Sequence, residues 1–506
     1  MAYDQHLEYN SFLDSQRHRL SFRNERTLYL RNCDATGDKM ISIYPPDCEF
    51  PVYKSNYWYS DNWDPLEFGQ DYDPNKNFFE QYKELQKKVP RLGLINISGI
   101  NSDFCNMTYS NKNCYLVFGG DFNEDCMYGT LSMHNIDSLD LDYSNHNSLC
   151  YEMCDSMNCY NCKFTFNSKN CKDCQFISDC IGCSECLLCT NLNQKSYCIL
   201  NKQYSKEEYF QKKAELLNQD SAQKTLFAEF LKMRSERKVK YAHIINSENC
   251  SGDNIQNSKN CLNCFDISDS EDLKNIVFAT KVKDCFECSL LGEGTELCFN
   301  VIGGLKIYNS KCSLFIIESQ NIEYSKYIFS SKDLFGCIGL QHKQYCILNK
   351  QYSKADYHKL RETIIEEMKK SKQWEQFFPK ELSDYCYNET SAHDYFPLSK
   401  EEAIKQGYRW RDQEEKKKEQ EKEDQCKSCQ KAYKILKQEL DFYQKMKITT
   451  PEICENCRHK RRMELRNPRK LWSRNCSNCD IKLESSYSPD RSEEILCEKC
   501  YQQIVL

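Results

Sequence analysis

Between residues 99 and 206, small or apolar residues recur every twelve positions and are separated by Asn, Asp, Ser and Gly. In rows of twelve, the fourth column holds Ser102, Cys114, Cys126, Ser138, Cys150, Cys162, Cys174, Cys186 and Cys198. The register returns from residue 261, where Ile276 and Asn300 fall in that column. A strand of about five residues followed by a turn gives such a period, whereas a helix face does not. We therefore predict a mainly β protein with two β-solenoid arrays, at 99–206 and 245–354.

Large aromatic residues set our expectation for the size of each coil. A coil of twelve residues would leave a core too thin for Tyr115, Phe164, Phe166 and Phe176. We therefore expect two repeats, about 24 residues, in each coil. Equivalent residues of successive coils would then stack about 4.8 Å apart.

The cysteines of these arrays stand mostly at CxxC spacing, as in "CYNCKFTFNSKNCKDCQFISDCIGCSEC" (159–186). Both cysteines of such a pair can point inward only if the chain turns between them, and the intervening residues are mostly polar, as an outward corner requires. Serine also occupies the cysteine column, which a tetrahedral metal site would not tolerate, so we interpret these thiols as packing groups. Two alternatives stay open: zinc knuckles at the corners, and an iron–sulfur cluster on Cys180, Cys183, Cys186 and Cys189, which resemble a ferredoxin motif without its Cys-Pro.

Helical patterns follow each array. Both arrays end in "YCILNKQYSK", at 197–206 and 345–354, and Ser205 with Glu208 has the spacing of a capping box. We expect each helix to cover an end or edge of its array. The predicted division is a degenerate zinc-ribbon-like module with a helix (1–98), the first array (99–206), a helical connector (207–244), the second array (245–354), a helical connector (355–412), a charged linker (413–425) and a treble-clef plus zinc-ribbon tail (426–506).

Composition indicates the compartment and where an anionic partner would bind. The chain has 506 residues and 34 Cys, with no apolar signal core at its start and no apolar run near the roughly 18 residues of a membrane span. We therefore expect a cytoplasmic protein with reduced thiols and no membrane partner. The net charge of −6 hides an asymmetry, because residues 426–506 are basic and the remainder is acidic.

The tail carries the clearest chemistry, two pairs of CxxC knuckles. Four thiolates from two knuckles make a closed tetrahedral zinc site without an open coordination position, so its role is structural. Such a site supplies on the order of 10 kcal/mol to folding. We predict two zinc sites, with the ligands Cys426, Cys429, Cys454, Cys457, Cys476, Cys479, Cys497 and Cys500.

The segment "CKSCQKAYKILKQELDFYQKMKITTPEICENCRHKRRMELRN" resembles the probable zinc-ribbon, treble-clef family. That family reads as CxxC, an aromatic residue, a phrase like "ELDFYQK", a proline, and CPxCR opening a helix. Tyr433 and "ELDFYQKM" fit, whereas Glu455 stands where proline is usual. The whole chain is similar to uncharacterised zinc-ribbon proteins of candidate-phylum bacteria, some labelled CaiB/BaiF, although no transferase signature supports that label here. The resemblance implies zinc binding.

A degenerate copy of the same module stands near the N-terminus. "RNERTLYLRNCDATGDKMISIYPPD" (23–47) aligns without gaps to "RNPRKLWSRNCSNCDIKLESSYSPD" (466–490). We expect this copy to keep the ribbon shape without zinc, through packing around Trp58 and Trp63. The positions that correspond to zinc ligands hold Cys33, Thr36, Lys54 and Tyr57.

The second knuckle opens into a basic stretch, "RHKRRMELRNPRK". Zinc modules with a basic helix often contact phosphates, and the alternative is a solvated face or ion pairs with the acidic body. Candidate nucleic-acid contacts are Arg458, Lys460, Arg461, Arg462 and Arg466.

Catalysis has no support from motifs, because the chain has no HExxH, P-loop, GxSxG or GxGxxG. We therefore expect no enzymatic activity and no small-molecule substrate. The leading hypothesis is a non-catalytic zinc-binding scaffold or interaction protein whose partner is a protein or an RNA. The alternatives are an RNA- or ribosome-associated factor that binds through the basic tail, and an iron–sulfur or redox protein.

Overall fold

The computed structural model describes residues 11–218, 222–412 and 424–505, so most of the predicted charged linker lies outside the described residues. More of these residues lie in strands than in helices, and most strands pair in parallel, which confirms the mainly β class. Within the described ranges, no helix combines the length and apolar content needed to cross a bilayer.

The N-terminal segment is a helix followed by a small ribbon, two short helical turns and a longer helix. The α1 helix begins after Ser11, whose hydroxyl accepts the N–H of Asp14. Pro90 stands two residues after the end of the helix Phe78–Lys88. The elements are α1 (Phe12–Leu20), β1 (Tyr29–Asn32), β2 (Lys39–Ser42), β3 (Val52–Tyr53), α2 (Ser55–Trp58), a 3-10 helix (Pro65–Phe68), α3 (Phe78–Lys88) and β4 (Arg91–Leu92).

In the first array, parallel pairing joins residues that are twelve positions apart along the chain. Thus Lys163 pairs with Gln175, and Cys186 pairs with Cys198. The expectation of about 24 residues per coil is therefore wrong. The strands are β5 (Asn96–Ile97), β6 (Thr108–Tyr109), β7 (Glu124–Met127), β8 (Ile136–Asp142), β9 (Tyr151–Cys154), β10 (Lys163–Phe166), β11 (Gln175–Ser178), β12 (Ser184–Thr190), β13 (Ser196–Ile199) and β14 (Lys202–Gln203), of which only the β13–β14 pair is antiparallel.

A second period of three residues underlies the period of twelve. Almost every third residue of the array has a left-handed backbone, for example Asn158 (φ 55°) and Asn161 (φ 50°). The residue after most of these positions is buried inside the coil, as Cys159 and Cys162 are. The chain thus turns between the cysteines of a CxxC. Asn and Asp tolerate this backbone best, and their side chains also bond between layers, as Asn161 Nδ2 does to Asp173 Oδ1 at 2.6 Å.

The large aromatic side chains lie outside the stacked layers, which explains why twelve residues suffice. Phe164 stacks on Phe176 with ring centroids 4.6 Å apart, and both pack against Phe227 of a covering helix. The narrow interior is left to thiols, Ser, Asn and small apolar groups. The covering helices are α4 (Lys206–Leu217) and α5 (Ala222–Ser235), and the capping box of Ser205 with Glu208 is present.

The second array repeats this arrangement with two register shifts, and at the first of them Ile244 pairs with Ile255, eleven residues further along the chain. A one-residue insertion makes Phe286 pair with Phe299, so Val301, rather than Asn300, follows Cys288 in the fourth column. The strands, which follow β15 (Lys238–Lys240), are β16 (Ile244–Ile245), β17 (Gly252–Gln256), β18 (Lys259–Leu262), β19 (Cys264–Ser268), β20 (Glu271–Lys274), β21 (Val277–Thr280), β22 (Val282–Phe286), β23 (Ser289–Leu291), β24 (Thr295–Glu296), β25 (Phe299–Leu305), β26 (Lys311–Ile317), β27 (Gln320–Glu323), β28 (Lys326–Phe329), β29 (Lys332–Phe335), β30 (Gln344–Ile347) and β31 (Lys350–Gln351).

The remaining chain is helical and then forms two small cysteine modules. The α6 helix (Lys354–Lys370) packs on the last strands of the second array, as expected for a cover. Two 3-10 helices (Lys380–Leu382 and Tyr387–Glu389), α7 (Ser391–Tyr395) and α8 (Lys400–Lys405) form the second connector. The tail contains β32 (Asp424–Gln425), β33 (Ala432–Tyr433), α9 (Lys437–Met446), α10 (Glu455–Leu465), β34 (Trp472–Asn475), β35 (Lys482–Ser485), β36 (Glu494–Leu496) and α11 (Glu498–Ile504).

Candidate metal centres

The first cysteine group joins a hairpin turn to the start of α10. Cys426 and Cys429 lie in the turn between β32 and β33, while Cys454 is the residue before α10 and Cys457 lies in its first turn. The four sulfurs lie within 4.8 Å of one another. The Cys454 N–H donates to Cys426 Sγ at 3.3 Å. Burial raises the pKa of the Cys426 thiol, but N–H donors from Cys429 and Cys454 lower it to about 6.

The second group repeats this design at the end of the chain. Cys476 and Cys479 lie in the turn between β34 and β35, and Cys497 and Cys500 lie at the start of α11. These four sulfurs also lie within 4.8 Å of one another, and the Cys497 N–H donates to Cys476 Sγ at 3.3 Å. Burial again raises the pKa of the Cys476 thiol, but backbone N–H donors lower it to about 6.

Both groups can hold a metal ion. Four thiols with donated N–H groups are the ligand set that a closed tetrahedral site uses, and the sequence predicted all eight residues. Across the parts of the chain that the structure describes, no other group brings three or more potential ligand atoms of His, Cys, Asp or Glu within 4.8 Å of one another. Cys180, Cys183, Cys186 and Cys189 are each buried inside the first array. The hydrogen bond with Cys183, and then burial, raise the pKa of the Cys180 thiol.

The N-terminal copy keeps the ribbon geometry around Cys33, the one cysteine that it has at a position aligned with a predicted ligand. The Lys54 N–H donates to Cys33 Sγ at 3.3 Å, as the Cys497 N–H does to Cys476. Arg31 donates to the carbonyl of Pro45 at 2.8 Å, and the aligned Arg474 donates to the carbonyl of Ser488 at 2.5 Å. Trp58 is buried and packs against Trp63.

The predicted nucleic-acid residues of α10 face the body of the protein. Arg458 Nε lies 2.8 Å from Asp140 Oδ2, and Arg462 Nε lies 2.7 Å from Asp142 Oδ2. Both arginines are fully buried. Burial raises the pKa of Asp142, but Arg462 and His459 hold it well below its usual range.

The other predicted contacts divide between the body and solvent. Arg461 Nη2 lies 2.7 Å from Glu152 Oε1, and Lys460 is exposed. Arg466, just after α10, pairs with Asp155 at 2.9 Å, pairs with Asp266 of the second array and lies over the Tyr143 ring at 3.7 Å. The tail therefore contacts both arrays through buried guanidinium groups.

Sequence reasoning missed the carboxylates that receive these arginines. We call Asp140, Asp142 and Glu152 the acidic notch, and all three are fully buried. The sequence does contain a sign of these carboxylates in "SLDLDYS" (138–144), where two aspartates alternate with leucine in a twelve-residue row that otherwise resembles its neighbours. The row alone could not identify the partner, because the tail lies some 300 residues away.

A second set of contacts matches these at the other end of the chain. We call α10 with its ribbon, residues 455–500, the C-terminal clamp, and α1 with its ribbon, residues 12–57, the N-terminal clamp. In the N-terminal clamp, Arg19 lies 2.7 Å from Glu287 and 3.3 Å from Asn300 of the second array. Extending the alignment of the two modules places Arg19 opposite Arg462. Each ribbon also pairs in parallel with the strand before an array, β3 with β4 and β36 with β15.

The comparisons with known proteins add little. No family model and no curated protein matches the chain. A crystal structure of a protein provisionally named an acetyltransferase, from Desulfovibrio desulfuricans G20, is similar over 51% of this chain and 71% of that chain, at 11% identity and a TM-score of 0.10. A likeness this low carries no argument about fold or activity.

Proposed function

We propose that this protein is a non-catalytic zinc-binding scaffold in which two β-solenoids are held together by the metal-bearing tail. The observation that carries the proposal is the position of α10. This helix begins at a cysteine of the first metal centre and places buried arginines against the first array, while Arg466 bridges to the second. Metal would therefore fix the helix that joins the two arrays.

The energies favour metal as the main support of this tail. Its two modules are small and have little core of their own, apart from clusters around Tyr487 and Cys476. A structural zinc ion supplies on the order of 10 kcal/mol or more to folding at pH 7. The set of four thiolates favours zinc over harder cations, and the resemblance to zinc-ribbon proteins points the same way.

Elemental analysis of full-length protein purified without oxygen tests the metal. We expect two zinc ions per chain, one for each cysteine group, with no iron and no visible absorbance. Cys426→Ser and Cys476→Ser should each lose one zinc ion. Cys33→Ser, at the aligned position of the N-terminal copy, and Cys174→Ser, inside the first array, should lose none.

Other outcomes would replace the proposal. Loss of zinc in Cys174→Ser would indicate that cysteines of the arrays bind metal. A brown, iron-containing product would favour the redox alternative. Chelation should raise hydrogen exchange at β8 of the first array and β19 of the second, because both contact the tail. Unchanged exchange at both strands after metal loss would contradict the scaffold role.

A further inference from the structure

The two clamps meet surfaces that differ in charge at equivalent corners of the arrays. Arg462 faces Asp140 and Glu152, which have left-handed backbones (φ 61° and 55°). Arg19 faces Glu287 and Asn300, with φ 54° and 52°. The C-terminal clamp therefore docks on two carboxylates of the first array. At the equivalent corners of the second array, the N-terminal clamp meets one carboxylate and one amide. Asp142 adds a third carboxylate on the first array alone.

The direct ion pairs of the acidic notch come from α10, and Arg26 adds a more distant positive charge near Asp142. Among the described residues, every ion pair of the notch carboxylates is to a side chain of α10: Arg458, His459, Arg461 or Arg462. Two notch oxygens are also incompletely used. Asp140 Oδ1 and Glu152 Oε2 lie 3.0 and 3.4 Å from Arg462 Nη1 but accept no well-aligned hydrogen bond in the described parts of the chain. The notch is thus built to receive guanidinium groups and has capacity for a better-placed donor.

The chain's own occupant of the notch is tied to the first metal centre. Cys454 precedes α10 and Cys457 lies in its first turn, next to Arg458. If the metal is lost, the anchor at the start of the helix is lost with it, whereas the N-terminal clamp contains no such centre. Only the C-terminal clamp is therefore sensitive to metal.

We propose that the acidic notch is a binding site for an arginine-rich helix of a protein partner, and that metal in the first centre controls access by keeping α10 in it. The inference rests on the proposed function, because it needs metal to anchor the tail. The occupant is identified by charge complementarity. Buried carboxylates at successive corners require guanidinium groups on one helix face, at the spacing of Arg458 and Arg462.

A labelled synthetic peptide tests the proposal in the full-length protein. The peptide carries residues 455–469 with Cys457→Ser and is titrated by fluorescence anisotropy into metal-loaded and chelated protein. We expect at least tenfold tighter binding to the chelated protein. The gain should disappear in the notch variant Asp142→Asn/Glu152→Gln and persist in Glu287→Gln, its matched control on the second array. Hydrogen exchange at β8 should rise on chelation and fall again when the peptide is added.

The outcomes separate the two proposals. Equal peptide affinity with and without metal, in protein that binds two zinc ions, would overturn the notch proposal and leave the metal-bearing scaffold intact. Protein that binds no zinc would overturn the proposed function itself. Equal binding of a scrambled peptide of the same charge, or an unchanged affinity in the notch variant, would also overturn the notch proposal. If the released tail binds bulk RNA and the peptide does not bind at the notch, the notch proposal is overturned and a nucleic-acid partner is favoured instead.

Discussion

Replacing Arg462 by methionine gives the sharpest test of how the tail is held. Methionine keeps much of the side-chain volume but removes the charge shared by Asp140, Asp142 and Glu152. All four side chains are 0–1% exposed, so solvent screening does not reduce the effect. Removing one partner of a buried ion pair costs about 3–5 kcal/mol. We therefore expect the equilibrium for opening the clamp to rise by roughly two to three and a half orders of magnitude.

Hydrogen exchange in metal-loaded, full-length protein measures this opening. Under the proposed function, metal in the first cysteine group would keep α10 folded at its start. Faster exchange at β8, which α10 covers, would then report undocking of the helix. Lys460→Met is the matched control, since Lys460 lies on the same helix, is exposed, and pairs weakly with Glu464 at 3.9 Å. Its effect should stay below about 0.5 kcal/mol. Equal exchange in the two variants would refute the claim that buried arginines hold the tail.

Two further predictions concern the junction of the arrays and the interior of the first array. His243 lies between Asp179 and Asp253, and although burial lowers its pKa, these two carboxylates raise it well above the usual value. The protonated His243 therefore stabilises the folded state fully below pH 6.5, and this stabilisation is lost as the pH rises through the folded-state pKa. The melting temperature should fall more between pH 6 and pH 9 in the wild type than in His243→Gln. Equal falls in the two proteins would contradict this. Asn135 is buried and bonds to the asparagines one layer below and above it. Its Oδ1 also accepts the backbone N–H of Asn147, and its Nδ2 donates to the carbonyl of Ser144. Asn135→Leu should therefore cost about 3 kcal/mol or more by leaving these two buried backbone groups without their side-chain partner, and a change below about 1 kcal/mol in denaturant unfolding would contradict this ladder.

The period of twelve could be predicted because inward positions select small side chains. The period of three could not, because its left-handed corners point outward and accept Phe122 and Leu131 as well as Asn. The coil size was wrong for a related reason. Phe164 and Phe176 pack against a covering helix and not inside the coil, and no local pattern indicates where that helix lies.

The members of the two tetracysteine groups were predictable in full, and the surroundings of these groups were not. Spacing within the tail identifies each cysteine, because a zinc knuckle is a local structure. The partners of Arg458 and Arg462 lie in a different array, so nothing local distinguished a helix that contacts phosphate from one buried in carboxylates. Arg19 shows the same limit, since its partner Glu287 is equally distant along the chain.

The presence of both clamps in one polypeptide has a kinetic and a thermodynamic consequence. An equivalent pair of docking events between separate subunits would weaken on dilution, because each encounter would depend on protein concentration. Here each clamp is tethered to its docking surface, so rebinding is unimolecular and its effective concentration is set by the length of chain between them. Opening must therefore come from chemistry at the contact, through charge or thiol ligation, and not from a change in how much of the protein a cell makes.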